Sequence, residues 1–102
     1  MDKIPALLQF LEEDPNDSFS RYALALEYVK AGRDDLAIIQ FDHLNREHPE
    51  YLANYYQYGK LLVRQGEAEQ AGAIFKNGIE VAKKSGDRHT FNELAGALEE
   101  LY

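Results

Sequence analysis

The chain has no cysteine, no long apolar run and too few bases to balance its acids, and each shortage removes a class of protein. Without cysteine there is no disulfide framework, no thiolate metal site and no thiol nucleophile, and the expected compartment is the cytoplasm. With 28% charged residues and only short apolar runs, neither a membrane-spanning helix nor wholesale disorder is expected. Lys and Arg number 11 against 18 Asp and Glu, a formal net charge of −7. That charge repels phosphate backbones and anionic lipid heads, so neither nucleic acid nor a membrane is an expected partner. The opening Met1-Asp2-Lys3-Ile4-Pro5 runs quickly into Glu12-Glu13-Asp14, with neither an apolar export segment nor a small-residue cleavage site.

Signals of catalysis are equally thin. His43 and His48 are five residues apart, not the three or four that set two imidazoles on one metal, and His89 lies far along the chain. No metal and no cofactor is expected. The adjacent acids Glu12-Glu13-Asp14 and Asp34-Asp35 read as a solvated helix end and a helix start rather than as a general acid and base. Neither a phosphate loop nor a nucleophile elbow is present, and Ser18, Ser20 and Ser85 sit near helix ends, where capping is the ordinary role. The chain reads as no enzyme.

What is present is a repeat. Pro15 and Pro49 are 49 − 15 = 34 residues apart, and Tyr22, Val29, Gly32, Ala37 and Phe41 recur at the same offset as Tyr56, Val63, Gly66, Ala71 and Phe75. That period belongs to helical hairpins. At 102 residues and 45% apolar content the chain is expected to form a single domain, 1–102, with its own core. Six amphipathic segments follow from period and punctuation, with no competing strand. A helix over 3–13 carries Ile4, Leu7, Leu8 and Leu11, with Asp2 as a cap, and ends at Asp14-Pro15. A second over about 18–31 follows Asn16-Asp17 as cap candidates and stops at Gly32. A third follows Asp34 and runs to Glu47, closed by His48-Pro49. Helices over about 50–65 and 67–85 flank Gly66, and a last one over 88–101 follows Ser85-Gly86-Asp87.

Leu24-Ala25, Tyr28, Gly32, Ala37, Phe41 and Pro49 in the first copy, and Tyr58-Gly59, Leu62, Gly66, Ala71, Phe75 and Gly78 in the second, resemble the tetratricopeptide repeat. Arg21 and Tyr55 stand where that family often has Trp, and Lys83 where it has proline. The resemblance implies an all-α fold, an alpha-alpha superhelix of antiparallel hairpins: repeat 1 over 18–51, repeat 2 over 52–85, and capping helices over 3–13 and 88–101. Small residues at Ala25, Gly59, Ala37 and Ala71 are expected to let the helices of a hairpin approach, with Phe41 and Phe75 filling the space between hairpins. Both end helices read as lids, the last opposing Phe91, Leu94 and Leu98 to an outer face of Asn92, Gly96, Glu99 and Glu100. Met1 and these polar ends lead us to expect a self-contained unit.

The helix from Ser18 carries two apolar stripes where a core needs one. Leu24, Ala25 and Tyr28 make the first; Phe19, Tyr22, Leu26 and Val29 make the second. In the family that second face lines a concave groove for a peptide. The expected groove therefore joins Phe19, Tyr22, Leu26, Val29 and Lys30 to Tyr56, Lys60, Val63 and Arg64, and its ligand is a peptide or protein segment carrying an acidic group. Some relatives hold chaperone tails in a Lys and Asn carboxylate clamp. Here Tyr22 and Leu26 stand at those positions, Gln57 replaces an Asn and Glu93 a basic residue, so that clamp is not expected. In the cluster Tyr51, Tyr55, Tyr56 and Tyr58, Tyr58 is expected inward, Tyr56 in the groove and Tyr55 at a seam between hairpins. The chief expectation is an adaptor or scaffold for protein binding, monomer or homodimer. The first alternative is homo-oligomerisation through the same apolar face; the second is an enzyme or small-ligand site in the groove.

Overall fold

A computed structural model describes residues 2–102, and among these residues there are six α-helices and no strand. They are α1 (Ile4–Glu13), α2 (Ser18–Lys30), α3 (Asp34–Glu47), α4 (Ala53–Arg64), α5 (Ala68–Ser85) and α6 (Arg88–Glu99). By internal packing they form two compact units, one ending at His48 and one running from Pro49 to Tyr102.

In the first unit α1 packs on α2 and α2 on α3. The Asp2 carboxylate accepts from the Ile4 N–H (3.0 Å), and Pro5 lies in the first turn, where its missing N–H costs nothing. Asp17 caps α2: its carboxylate accepts from the Ser20 N–H (3.2 Å) and from the Ser20 hydroxyl (2.7 Å). Of the two candidates Asn16 and Asp17, the cap is Asp17, and Ser20 is its donor. Gly32 takes φ 75°, a backbone conformation that a side chain disfavours, which lets the Arg33 N–H reach back to the Tyr28 carbonyl (2.8 Å). Leu24, Ala25, Ala37, Phe41 and Leu44 are buried, so the helix contact is built of small residues beside large ones. Arg21, at the position usually filled by Trp in the family it resembles, donates to the Gln40 side chain (2.7 Å) and the Pro15 carbonyl (3.0 Å), tying α2 to α3 and to the preceding turn.

In the second unit α4, α5 and α6 all touch one another. The turn of the first unit recurs 34 residues on: Gly66 takes φ 82° and the Glu67 N–H bonds the Leu62 carbonyl (2.8 Å). Two glycines mark where the helices of this unit come nearest. The ring of Phe75 lies over Gly59, inside the α4–α5 hairpin. A Cβ on Gly78 would lie 2.6 Å from Tyr55 Cβ and 2.8 Å from Leu94 Cδ1, so three helices converge on that glycine. Tyr55 of α4 therefore meets α5 at the point where Leu94 of α6 also reaches it. Its hydroxyl donates to the Pro49 carbonyl (2.6 Å), holding residues 49–52 in a turn, which is why α4 starts at Ala53 and not at Glu50. Asp87 caps α6 as Asp17 caps α2, accepting from the Thr90 N–H (3.0 Å) and hydroxyl (2.9 Å).

Candidate functional site

On α4 the positions 56, 60, 63 and 64 fall on one helical face, and on α6 so do 93, 96 and 97, continued by Glu100. These two faces enclose a cavity of about 630 Å³ in the second unit. Tyr56, Lys60, Val63 and Arg64 line it from α4, Phe75 from α5, and Asn92, Glu93, Gly96 and Ala97 from α6, with Glu100 and Leu101 beyond. The Lys60 ammonium sits 5.0 Å from the centroid of the Tyr56 ring, a contact that favours its lying along that wall. Val63 is 42% exposed, an apolar surface open to a ligand. Two cations therefore stand on α4, while two carboxylates, Glu93 and Glu100, stand on the α6 side.

Four of the nine expected groove residues, Tyr56, Lys60, Val63 and Arg64, are thus brought together. Phe19 and Leu26 line a different cavity of about 530 Å³ in the first unit, with Ala6, Leu7 and Phe10 of α1 and Ala23 of α2. Asp2, Lys3 and Glu27 add charge to that lining. Phe19 is 71% exposed, so α1 does not cover it. Tyr22 and Val29 are half-buried, and Lys30 is exposed and pairs with Glu27 (3.4 Å); none of the three lines either cavity.

Sequence reasoning missed two groups. The pattern of α6 predicts Asn92, Gly96 and Glu100 on a solvated outer face, yet they form a wall of the α4–α6 cavity. Their helical spacing was visible; the helix they would face was not. Phe10 lies off the leucine stripe of α1, and it is 51% exposed and shares its cavity with Phe19. A further cavity of about 480 Å³ lies where α5 turns into α6, lined by Lys83, Arg88 and Phe91 among others. Lys83 stands 6.0 Å from the Phe91 ring centroid and pairs with Glu80 (3.3 Å).

Among the described residues no three His, Asp or Glu side chains are grouped to hold a metal, and no helix is long and apolar enough to cross a membrane. Burial, and then the Arg21 charge, hold the His43 imidazole below its usual range. Burial raises the Tyr55 phenol.

No protein-family model and no curated protein matches the sequence. Solved structures do. A tetratricopeptide repeat domain protein from Salinibacter ruber, determined in solution, is 36% identical, with a TM-score of 0.82 over 86% of this chain and 89% of that one. A crystal structure of a tetratricopeptide repeat domain protein from the same organism is 35% identical, with a TM-score of 0.81 over 83% and 96%. The type III secretion translocator chaperone SycD of Yersinia enterocolitica shares the fold at 18% identity, with a TM-score of 0.88 over 98% of this chain and 70% of that one.

Proposed function

Because the chain belongs to the tetratricopeptide repeat family, we propose that it is a non-catalytic protein-interaction module whose second unit seats a peptide or protein segment between α4 and α6. The observation that carries this reading is the 630 Å³ cavity, in which a cation beside an aromatic ring, an exposed valine and a buried phenylalanine share one lining. Apolar lining with a few placed polar groups is how proteins hold short segments. Phe19, Tyr22, Leu26, Val29 and Lys30 offer a second surface, on α2, to the same class of ligand. The Yersinia protein is named a chaperone, which supports a partner that is itself a protein.

A test needs no knowledge of the partner. Peptides selected from a displayed random library on the purified chain are measured again on Gly96→Trp, whose ring fills the cavity from an open position. Lost binding at unchanged helicity is the expected result; unchanged binding moves the ligand elsewhere.

The first unit favours a second reading, homo-oligomerisation. Phe10 and Phe19 are both large, apolar and exposed there, and they line one cavity. If copies pair through that surface, the sedimentation coefficient rises with concentration, and Phe10→Ser with Phe19→Ser removes the rise.

A further inference from the structure

Within the α4–α6 cavity the charges are sorted by wall. Lys60 and Arg64 stand on α4, while Glu93 and Glu100 stand on α6 and its extension. Lys60 rests on the Tyr56 ring, and neither Lys60 nor Glu93 forms a side-chain ion pair with any described residue. A ligand that covers the cavity takes part of the water from Lys60 and Glu93, and a charge that loses hydration without gaining a partner weakens binding. An acidic ligand answers Lys60 but leaves Glu93 uncompensated, and the chain's net charge of −7 repels it at range. A basic ligand answers Glu93 and meets repulsion at Lys60. One kind of ligand answers both.

We infer that the cavity selects a segment of two signs: an apolar side chain against Val63 and Ala97, a carboxylate beside Lys60 and a cation beside Glu93. This rests on the reading of the cavity as the ligand seat and narrows the acidic ligand expected from the cations Lys30, Lys60 and Arg64. Since both walls are exposed to solvent, each pairing is worth a modest factor and weakens with salt.

Four dye-labelled peptides with one shared leucine anchor test it by fluorescence anisotropy. Their flanks are neutral, acidic, basic, or acidic on one side and basic on the other. On the native chain the two-sign peptide binds tightest, by about two- to fivefold for each pairing gained, and its lead shrinks in high salt. Lys60→Glu shifts the preference to the basic peptide and Glu93→Lys to the acidic one. The double variant Lys60→Glu with Glu93→Lys restores preference for two signs, in reversed orientation, and circular dichroism confirms that the helices are intact.

A native chain that binds the acidic peptide best overturns the inference, and so do single variants that leave the ranking unchanged. If the neutral peptide binds as well as the two-sign one, the cavity remains the seat and the charge reading falls. If none of the four binds, the seat itself is wrong and the inference goes with it.

Discussion

The ring of Phe75 lies across the α-carbon of Gly59 and occupies the space a side chain there would need. α4 and α5 therefore approach through one residue with nothing to offer and one with a whole ring. Gly59→Ala forces the ring aside in a closely packed site, an overpacking cost of about 1–3 kcal/mol. Alanine's better helix propensity returns about 1 kcal/mol at most, so the variant is expected to be less stable in urea. Adding Phe75→Leu should recover part of the loss, because the two residues touch. Additive losses would show that the contact is not what sets the distance between these helices.

Gly78 and Gly96 separate packing from propensity. A methyl on Gly78 meets Tyr55 Cβ at 2.6 Å, an atom near the backbone that cannot swing away, and Leu94 Cδ1 at 2.8 Å. A methyl on Gly96 meets nothing within 4 Å. Gly78→Ala should lower the melting temperature, while Gly96→Ala should raise it by the propensity gain of about 0.5–1 kcal/mol.

Tyr55→Phe removes a buried hydroxyl and leaves the Pro49 carbonyl without that donor. The expected cost is about 0.5–1.5 kcal/mol, read from urea midpoints at constant slope. Hydrogen exchange should rise first at Asn54 and Tyr55, whose N–H groups bond the carbonyls of Tyr51 and Leu52 in the turn that this hydroxyl anchors.

Acid should weaken both units through their caps. The Ser20 hydroxyl and N–H hold the Asp17 carboxyl below its usual range, and the Thr90 N–H and hydroxyl do the same for Asp87. A carboxylate whose folded pKa is lowered contributes fully above its unfolded pKa of about 3.9, and that contribution is lost as pH falls through the folded value. Asp17→Asn with Asp87→Asn keeps an acceptor oxygen but removes the titration. The double variant should therefore show a flatter loss of melting temperature below about pH 4 than the native chain. Parallel curves would mean that other carboxylates govern acid unfolding.

Periodicity made most of the fold legible. The 34-residue offset between Gly32 and Gly66 returns as the same backbone bond, Arg33 to Tyr28 and Glu67 to Leu62, since a turn of this kind depends on residues close in sequence. Asp17 and the end of α3 before Pro49 were readable for the same reason. Arg21 was a departure in sequence and a tether in structure, because Gln40 and the Pro15 carbonyl are neighbours only after folding.

The candidate site was half legible. A helical wheel places Tyr56, Lys60, Val63 and Arg64 on one face, which needs only the geometry of α4. It cannot say which helix stands opposite, so the row from Asn92 to Glu100 passed for a solvated surface.

Local signals, namely glycine at a left-handed turn, acids at helix starts and apolar residues every three or four positions, determined six helices and their order, because each acts over a few bonds of chain. Tertiary packing alone decided that Phe75 covers Gly59, that Tyr55 and Leu94 meet at Gly78, and that cations and carboxylates face each other across one cavity. Those contacts join residues distant along the chain, and only the distance of approach, set by side-chain volume, brings them together.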